Sequence, residues 1–271
     1  MNSYHYGNPE KQDWSHVADV FAAHESLNSE RTSSLPLAQF WKEENLKDRV
    51  KNLETICPGI TILPAGSELY FEYGISVPDG YGRGKASMTD LMIISKQHAI
   101  AIEAKYTEVA KRYETIKSWL KKSSKADDNN RDKVLKGWLK YISEANCFAA
   151  NLEESERISQ IKNVPYQLVH RIASACAVAN RMNVSPAVIY QIFYDKETCK
   201  KAAKFAINLL LSWIKDLGLK SDFKFYAIGV PTYYKPQKVT KLNSLFLKMK
   251  TDAIYTFGQP CNGLAISTAT I

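Results

Sequence analysis

A chain of 271 residues with 45% hydrophobic and 24% charged residues has the proportions of an ordinary globular protein with room for a full core. Its net charge of +8 and pI near 9.1 favour a polyanionic partner. The longest apolar runs fall well short of the roughly eighteen residues of a membrane span, residues 1–10 lack the basic start and apolar core of a secretory signal, and five scattered cysteines form no C-x-x-C, so a cytoplasmic protein without membrane contact, disulfide framework or zinc knuckle is expected.

In chain order, residues 1–36 read as a polar covering arm with a short helix near 17–26. His5, His16 and His24 fall in that arm without ligand spacing and read as surface residues. A helix follows over 37–53, with Leu37, Phe40 and Trp41 on one face and Glu44 on the same face at 3.6-residue spacing. Residues 68–77 alternate as a strand, with Leu69, Phe71, Tyr73, Ile75 and Val77 on one side and Glu68, Tyr70 and Glu72 on the other. That pattern reads as a half-exposed strand, and Glu68 or Glu72 supplies an acid to any site its polar side faces. The glycine-rich loop 78–85 carries Arg83 and Lys85, lacks the spacing and helix of a phosphate-binding P-loop, and is suited to approach a phosphodiester backbone.

The most informative stretch is 87–106. Two apolar runs, 91–94 and 99–102, flank a polar break at 95–98 and predict two buried antiparallel strands joined by a tight turn. Asp90 opens the first run; Glu103 and Lys105 close the second, two residues apart and therefore on one face. A turn of two or four residues sets Asp90 opposite Glu103 on that face, with Cβ atoms roughly 5 Å apart. A three-residue loop sets them on opposite faces. Carboxylates that close repel unless a cation sits between them, and their hard oxygens suit Mg²⁺. The plainer alternative is that these are charges at strand ends, reaching water where the buried part stops.

Two helices are expected over 108–122 and 132–152. The first carries Lys111, Arg112, Lys117, Lys121 and Lys122, a solvated face or the basic wall of a nucleic-acid groove. Trp119, Trp138 and Tyr141 read as core aromatics. Asn163 and Pro165 start another helix, whose stripe of Val164, Leu168, Ile172, Ala175 and Ala179 is flanked by Gln167 and Arg171. Residues 187–194 form a buried strand, 197–217 an amphipathic helix and 223–230 a further strand. Residues 231–250 hold five lysines and no acid, and 251–271 supply an edge strand.

Asp90, followed thirteen residues later by Glu103-Ala104-Lys105 at the end of an apolar strand, resembles the motif of the PD-(D/E)xK nuclease superfamily, with Thr89 where its proline usually stands. The order helix, three strands, helices, strand from about 37 to 194 is similar to that superfamily's core. The resemblance implies a mixed α/β, restriction-endonuclease-like domain over 37–230, with a helical insertion at 108–157 and a C-terminal extension over 231–271. It implies Mg²⁺- or Mn²⁺-dependent hydrolysis of DNA, RNA being the alternative polymer, and an assembly that includes a homodimer among its options. Asp90, Glu103 and the Ala104 carbonyl would hold the metal, and Lys105 would orient or deprotonate the water or offset charge on the phosphate. Glu44, Gln167 and Arg171 would add polar contacts to the site, and Arg83, Lys85, Lys111 and Arg171 would meet nucleic acid. A silent nucleic-acid-binding or assembly module on the same fold is the competing expectation.

Overall fold

The computed structural model describes residues 3–6, 14–23, 33–42, 46–82, 86–106, 113–122, 130–195, 197–235 and 254–263. Three antiparallel-linked strands lead the sheet: β2 (Glu68–Ile75), β3 (Ser87–Ile94) and β4 (His98–Lys105). Two parallel crossovers extend it: α7 (Tyr166–Met182) leads from β4 to β5 (Ser185–Tyr194), and α8 (Glu197–Asp216) leads from β5 to β6 (Lys224–Tyr234). Parallel neighbours cannot be joined by a hairpin, which is why each connection contains a helix. With β1 (Ser3–Tyr6) parallel to β2 and β7 (Tyr255–Phe257) against β6, the order is β1-β2-β3-β4-β5-β6-β7, and β8 (Cys261–Gly263) adds to β6. This is a mixed α/β fold with helices on both faces of a mixed sheet.

One face is covered by α1 (Trp14–Ala23), α2 (Ser34–Phe40) and α3 (Leu46–Ile56), packed on Leu69, Phe71, Leu91, Ile93, Ile100, Ile102 and Ala104. The other is covered by α4 (Ile116–Lys121), α5 (Asn130–Glu144), α6 (Glu154–Ile161), α7 and α8, packed on Met92, Ala99, Ala101, Val188, Tyr190 and Ile192. The apolar run at 187–194 is buried on both faces because β5 lies between parallel partners. Along α7 the small residues Ala173, Ala175, Cys176 and Ala179 are fully or almost fully buried, which lets the helix lie close to the sheet. Among the described residues no helix is long and apolar enough to cross a membrane.

Several expectations are corrected. The polar arm is part of the core: Val17, Ala18 and Phe21 are completely buried, and Phe21 meets Phe71 edge-on at 5.5 Å. The single helix expected over 37–53 is two, α2 and α3. Trp41 leaves helical geometry (φ −95°, ψ 6°), and its indole Nε1 donates to Gln191 Oε1 at 3.0 Å. Arg49 then donates to the Lys42 carbonyl at 2.7 Å, satisfying an oxygen that the break releases. Gln39 Oε1 accepts the backbone N–H groups of Ile254 and Tyr255, each at 2.9 Å, tying the C-terminal extension to the domain. The N-cap of α7 is Pro165 rather than Asn163.

Candidate functional site

The β3–β4 turn has the even-numbered length that aligns the charges. Ser95 N–H donates to the His98 carbonyl at 2.9 Å, and the paired residues run from Ile94↔Ala99 to Leu91↔Ile102. One step further the same register sets Asp90 across from Glu103. Ladder pairing stops there, and Asp90 Oδ2 instead accepts the Ala104 N–H at 2.7 Å. A residue's N–H and C=O point the same way in a strand, so the Ala104 carbonyl also faces the Asp90 side.

On the neighbouring strand, Glu72 lies opposite Asp90 in the β2–β3 register and has a positive φ of 50°, a left-handed conformation costly for a residue with a Cβ. The simple alternation expected for 68–77 fails at this residue. Leu69 and Phe71 face the α1–α3 side, whereas Tyr73, Ile75 and Val77 join the α5–α8 side. A matching switch occurs in β3, where Leu91 faces α1–α3 but Ser87 and Thr89 bond to α7. Thr89 and Asp90, adjacent in sequence, therefore both serve the α7 side.

Helix α7 supplies the other wall. Gln167, His170 and Arg171 share one helical face through i,i+3 and i,i+4 spacing. Gln167 Nε2 and Lys105 Nζ each donate to Glu103 Oε1 at 2.5 Å. Arg171 donates to Thr89 Oγ1 at 2.5 Å and to the Met88 carbonyl at 2.8 Å, and forms an ion pair with Glu103 Oε2. Both oxygens of the buried Glu103 carboxylate therefore already face cations, Oε1 meeting Lys105 and Oε2 meeting Arg171. Ser87 Oγ and His170 Nδ1 share a hydrogen bond at 2.7 Å. The first turns of α7 also bring the positive end of its dipole toward this cluster.

The acids are shifted in opposite directions. Burial would raise the Glu103 carboxyl, but Arg171 and Lys105 outweigh it and bring the pKa down to about 2. Asp90 is pushed up to about 7 by burial and by the Glu103 charge, and Glu72 to about 8 by burial and by Asp90. Burial lowers Lys105, yet Glu103 and Asp90 prevail and its pKa is raised, which favours the ammonium form. Burial and Arg171 bring His170 down to about 3, leaving it neutral at pH 7.

Glu72, Asp90 and Glu103 together carry more negative charge when ionised than Lys105 and Arg171 offset. The all-oxygen set and the raised carboxyls of Asp90 and Glu72 suit a hard divalent cation. Among the described residues no three His, Cys, Asp or Glu side chains group as a ready-made ligand set. One or two carboxylates here could hold an ion that keeps several of its waters. Glu72 and Asp90, with Gln167, His170 and Arg171, line a cavity of about 590 Å³ that Trp119, Trp138 and Tyr166 also line.

A family model described as a domain of unknown function, DUF6946, matches residues 10–227. The chain belongs to the DUF6946 family. No curated protein and no solved structure matches it. Glu72, Asp90, Glu103, Lys105, Gln167 and Arg171 all lie inside the matched region of this DUF6946 member.

Of the residues singled out in the sequence, Asp90, Glu103, Ala104, Lys105, Gln167 and Arg171 come together. Arg171, expected also to meet nucleic acid, is corrected to an internal counter-ion: it is 2% exposed and its guanidinium is engaged by Glu103, Thr89 and Met88. Glu68 accepts from Tyr70 Oη at 2.9 Å, whereas Glu72 lines the cavity. Glu44, Arg83, Lys85 and Lys111 lie outside the described residues. Ser87 and His170 were missed as a pair; two polar residues 83 positions apart carry no local signal. Trp138 is in the core as expected, with Trp119 and Tyr141 packed against the same cluster, and Trp119 and Trp138 also line the cavity.

Proposed function

We propose that this chain hydrolyses phosphodiester bonds in DNA with a Mg²⁺ or Mn²⁺ ion held by Asp90 and Glu103. The observation that carries the reading is the convergence of Asp90, Glu103 and Lys105 where the β3–β4 ladder opens, with Gln167 and Arg171 arriving from α7. The order α3-β2-β3-β4-α7-β5 adds support for a restriction-endonuclease-like core. When bound, the ion would act as a Lewis acid on the phosphoryl oxygen and lower the pKa of a coordinated water. The Ala104 carbonyl is a third oxygen on the Asp90 side, and Glu72 is the acid available to orient the attacking water or take its proton. Lys105, kept as an ammonium, offsets charge developing on the phosphate. Gln167 and Arg171 fix the Glu103 carboxylate, which has few other ways to keep its orientation at 1% exposure.

A second reading, a silent nucleic-acid-binding module, is favoured by one observation: Glu103 already contacts Lys105, Gln167 and Arg171. Incubating supercoiled plasmid and single-stranded DNA with Mg²⁺ or Mn²⁺ separates the two. Hydrolysis predicts cleavage by the parent protein and a loss of roughly 100-fold or more in Asp90→Ala and Lys105→Ala. Salt-sensitive binding without cleavage supports the module. Neither cleavage nor binding overturns both.

A further inference from the structure

The cavity beside Asp90 is lined by two chemically different groups of side chains, Glu72, Asp90, Gln167 and Arg171 on the one hand and the rings of Trp119, Trp138, Tyr166 and His170 on the other. Its volume of about 590 Å³ lies within the roughly 300–1,000 Å³ of pockets that enclose small organic ligands.

The rings are held in place before any ligand arrives. Trp119 and Tyr166 stack with ring centroids 3.8 Å apart and an interplanar angle of 8°. Trp138 Nε1 donates to Tyr166 Oη at 2.9 Å, and the His170 ring, anchored by Ser87, lies 5.0 Å from Tyr166. Arg131 lies over Trp119 at 5.2 Å and donates to its backbone carbonyl, fastening α4 to α5. With Tyr166 stacked on Trp119 and Arg131 over the same ring, a flat ligand would settle on the Arg131 guanidinium or take its place, meeting rings that lose little freedom on binding. Asn130 and Arg131 both line the cavity.

A compartment lined by both charged groups and fixed aromatic rings matches a nucleotide, which joins an anionic phosphate to a planar base. A base inside a continuous duplex is stacked on both sides and must be unpaired to reach rings set in the wall of a half-open pocket. We infer that this cavity receives one unpaired nucleobase next to the phosphate at Asp90, so that the substrate is single-stranded or locally unpaired nucleic acid rather than continuous duplex. The phosphate end of this inference rests on the hydrolysis reading; the base end does not.

Binding is tested on the full chain in EDTA, using tryptophan fluorescence and three probes: pentathymidylate, an abasic pentamer with the same phosphates, and inorganic phosphate. Pentathymidylate is expected to bind about 10-fold more tightly than the abasic pentamer, the scale of losing one base–aromatic stack. This arm needs no variant and so is independent of folding defects. Trp119→Leu should reduce the difference between the two probes. Pentauridylate in place of pentathymidylate tells which sugar the site prefers, and base-dependent binding of either supports the inference. Cleavage is then compared, with Mn²⁺, on a perfect duplex and on the same duplex carrying a one-nucleotide bulge; cutting at the bulge should be at least about 10-fold faster. Equal cutting of both duplexes with equal binding of the intact and abasic pentamers overturns the inference and leaves hydrolysis standing. Base-dependent binding with no cleavage of any substrate overturns hydrolysis and leaves the base pocket standing.

Discussion

At its turn the β3–β4 hairpin closes on itself, whereas at its open end it gives its polar groups to other elements. The Ser95 hydroxyl accepts the Gln97 and His98 N–H groups at 3.2 and 3.0 Å and donates to the His98 carbonyl at 3.2 Å, all within four residues. At the open end Asp90 takes the Ala104 amide, and Glu103 gathers Lys105, Gln167 and Arg171. What differs is that one end meets its needs from local backbone, while the other holds charges whose partners come from β2 and α7. A hairpin needs no such cluster to be stable, which is the physical reason for regarding the open end as a working site.

The sharpest way to break this contrast is Arg171→Met, which keeps bulk but leaves Glu103 at 1% exposure without its guanidinium. Removing one partner of a buried ion pair costs about 3–5 kcal/mol, and urea denaturation should register a loss of that size. A loss under about 1 kcal/mol would show that Lys105 alone suffices.

The next effect is pH-dependent and needs no variant. Asp90 rises from 3.8 to about 7 and Glu72 from 4.5 to about 8, so between those values the folded, metal-free protein keeps protons that the unfolded chain has released. Stability from these groups is fully present below about pH 4 and is lost as the pH climbs through about 7 to 8. Glu103 has the opposite sign: lowered from 4.5 to about 2, its contribution holds above 4.5 and fades only as the pH falls through about 2. Melting in EDTA should therefore decline on the order of several degrees from pH 5 to 8, and Asp90→Asn should flatten the decline. Mg²⁺ should restore more stability at pH 8 than at pH 6, because binding displaces those protons. A decline that Asp90→Asn leaves unchanged would place its origin elsewhere.

The legible part of this molecule was the part set by local periodicity. Two apolar runs and a four-residue polar break announced the hairpin and left two kinds of turn open, of which the structure takes the even-numbered one that relates Asp90 to Glu103-Ala104-Lys105. Helical spacing alone set Gln167 and Arg171 together, and the largely apolar run at 187–194 announced a buried strand. What stayed hidden depends on distant partners. Trp41 ends its helix for a bond to a residue 150 positions away, and Gln39 is held by one 216 positions away. The charge of Arg171 was visible, but its burial was not, since burial is decided by which face of α7 meets the sheet. The face switch at Glu72 and Asp90 also leaves no periodic trace, because it is imposed by tertiary contacts on residues whose own preferences run against it.

That switch supplies a smaller prediction. Glycine adopts the φ of 50° at position 72 without a Cβ penalty, and Glu72→Gly also removes a carboxylate that repels Asp90. The metal-free variant should be more stable by about 1 kcal/mol while cleaving DNA more slowly than the parent, an inverse relation expected of strain kept at a site. Destabilisation together with full cleavage would mean that Glu72 serves the fold alone.

The smallest effect belongs to the turn and serves as the control for all the others. Ser95→Ala removes a hydroxyl that bonds the Gln97 and His98 amides, but Lys96 and Gln97 are exposed and water can replace those bonds. The cost should be about 0.5–1 kcal/mol by denaturation, with the pH profile and any cleavage rate unchanged. Should Ser95→Ala shift the pH profile as Asp90→Asn does, the two ends would be coupled along the strands. The hairpin would then have to be treated as a single electrostatic unit rather than a closed turn joined to an independent site.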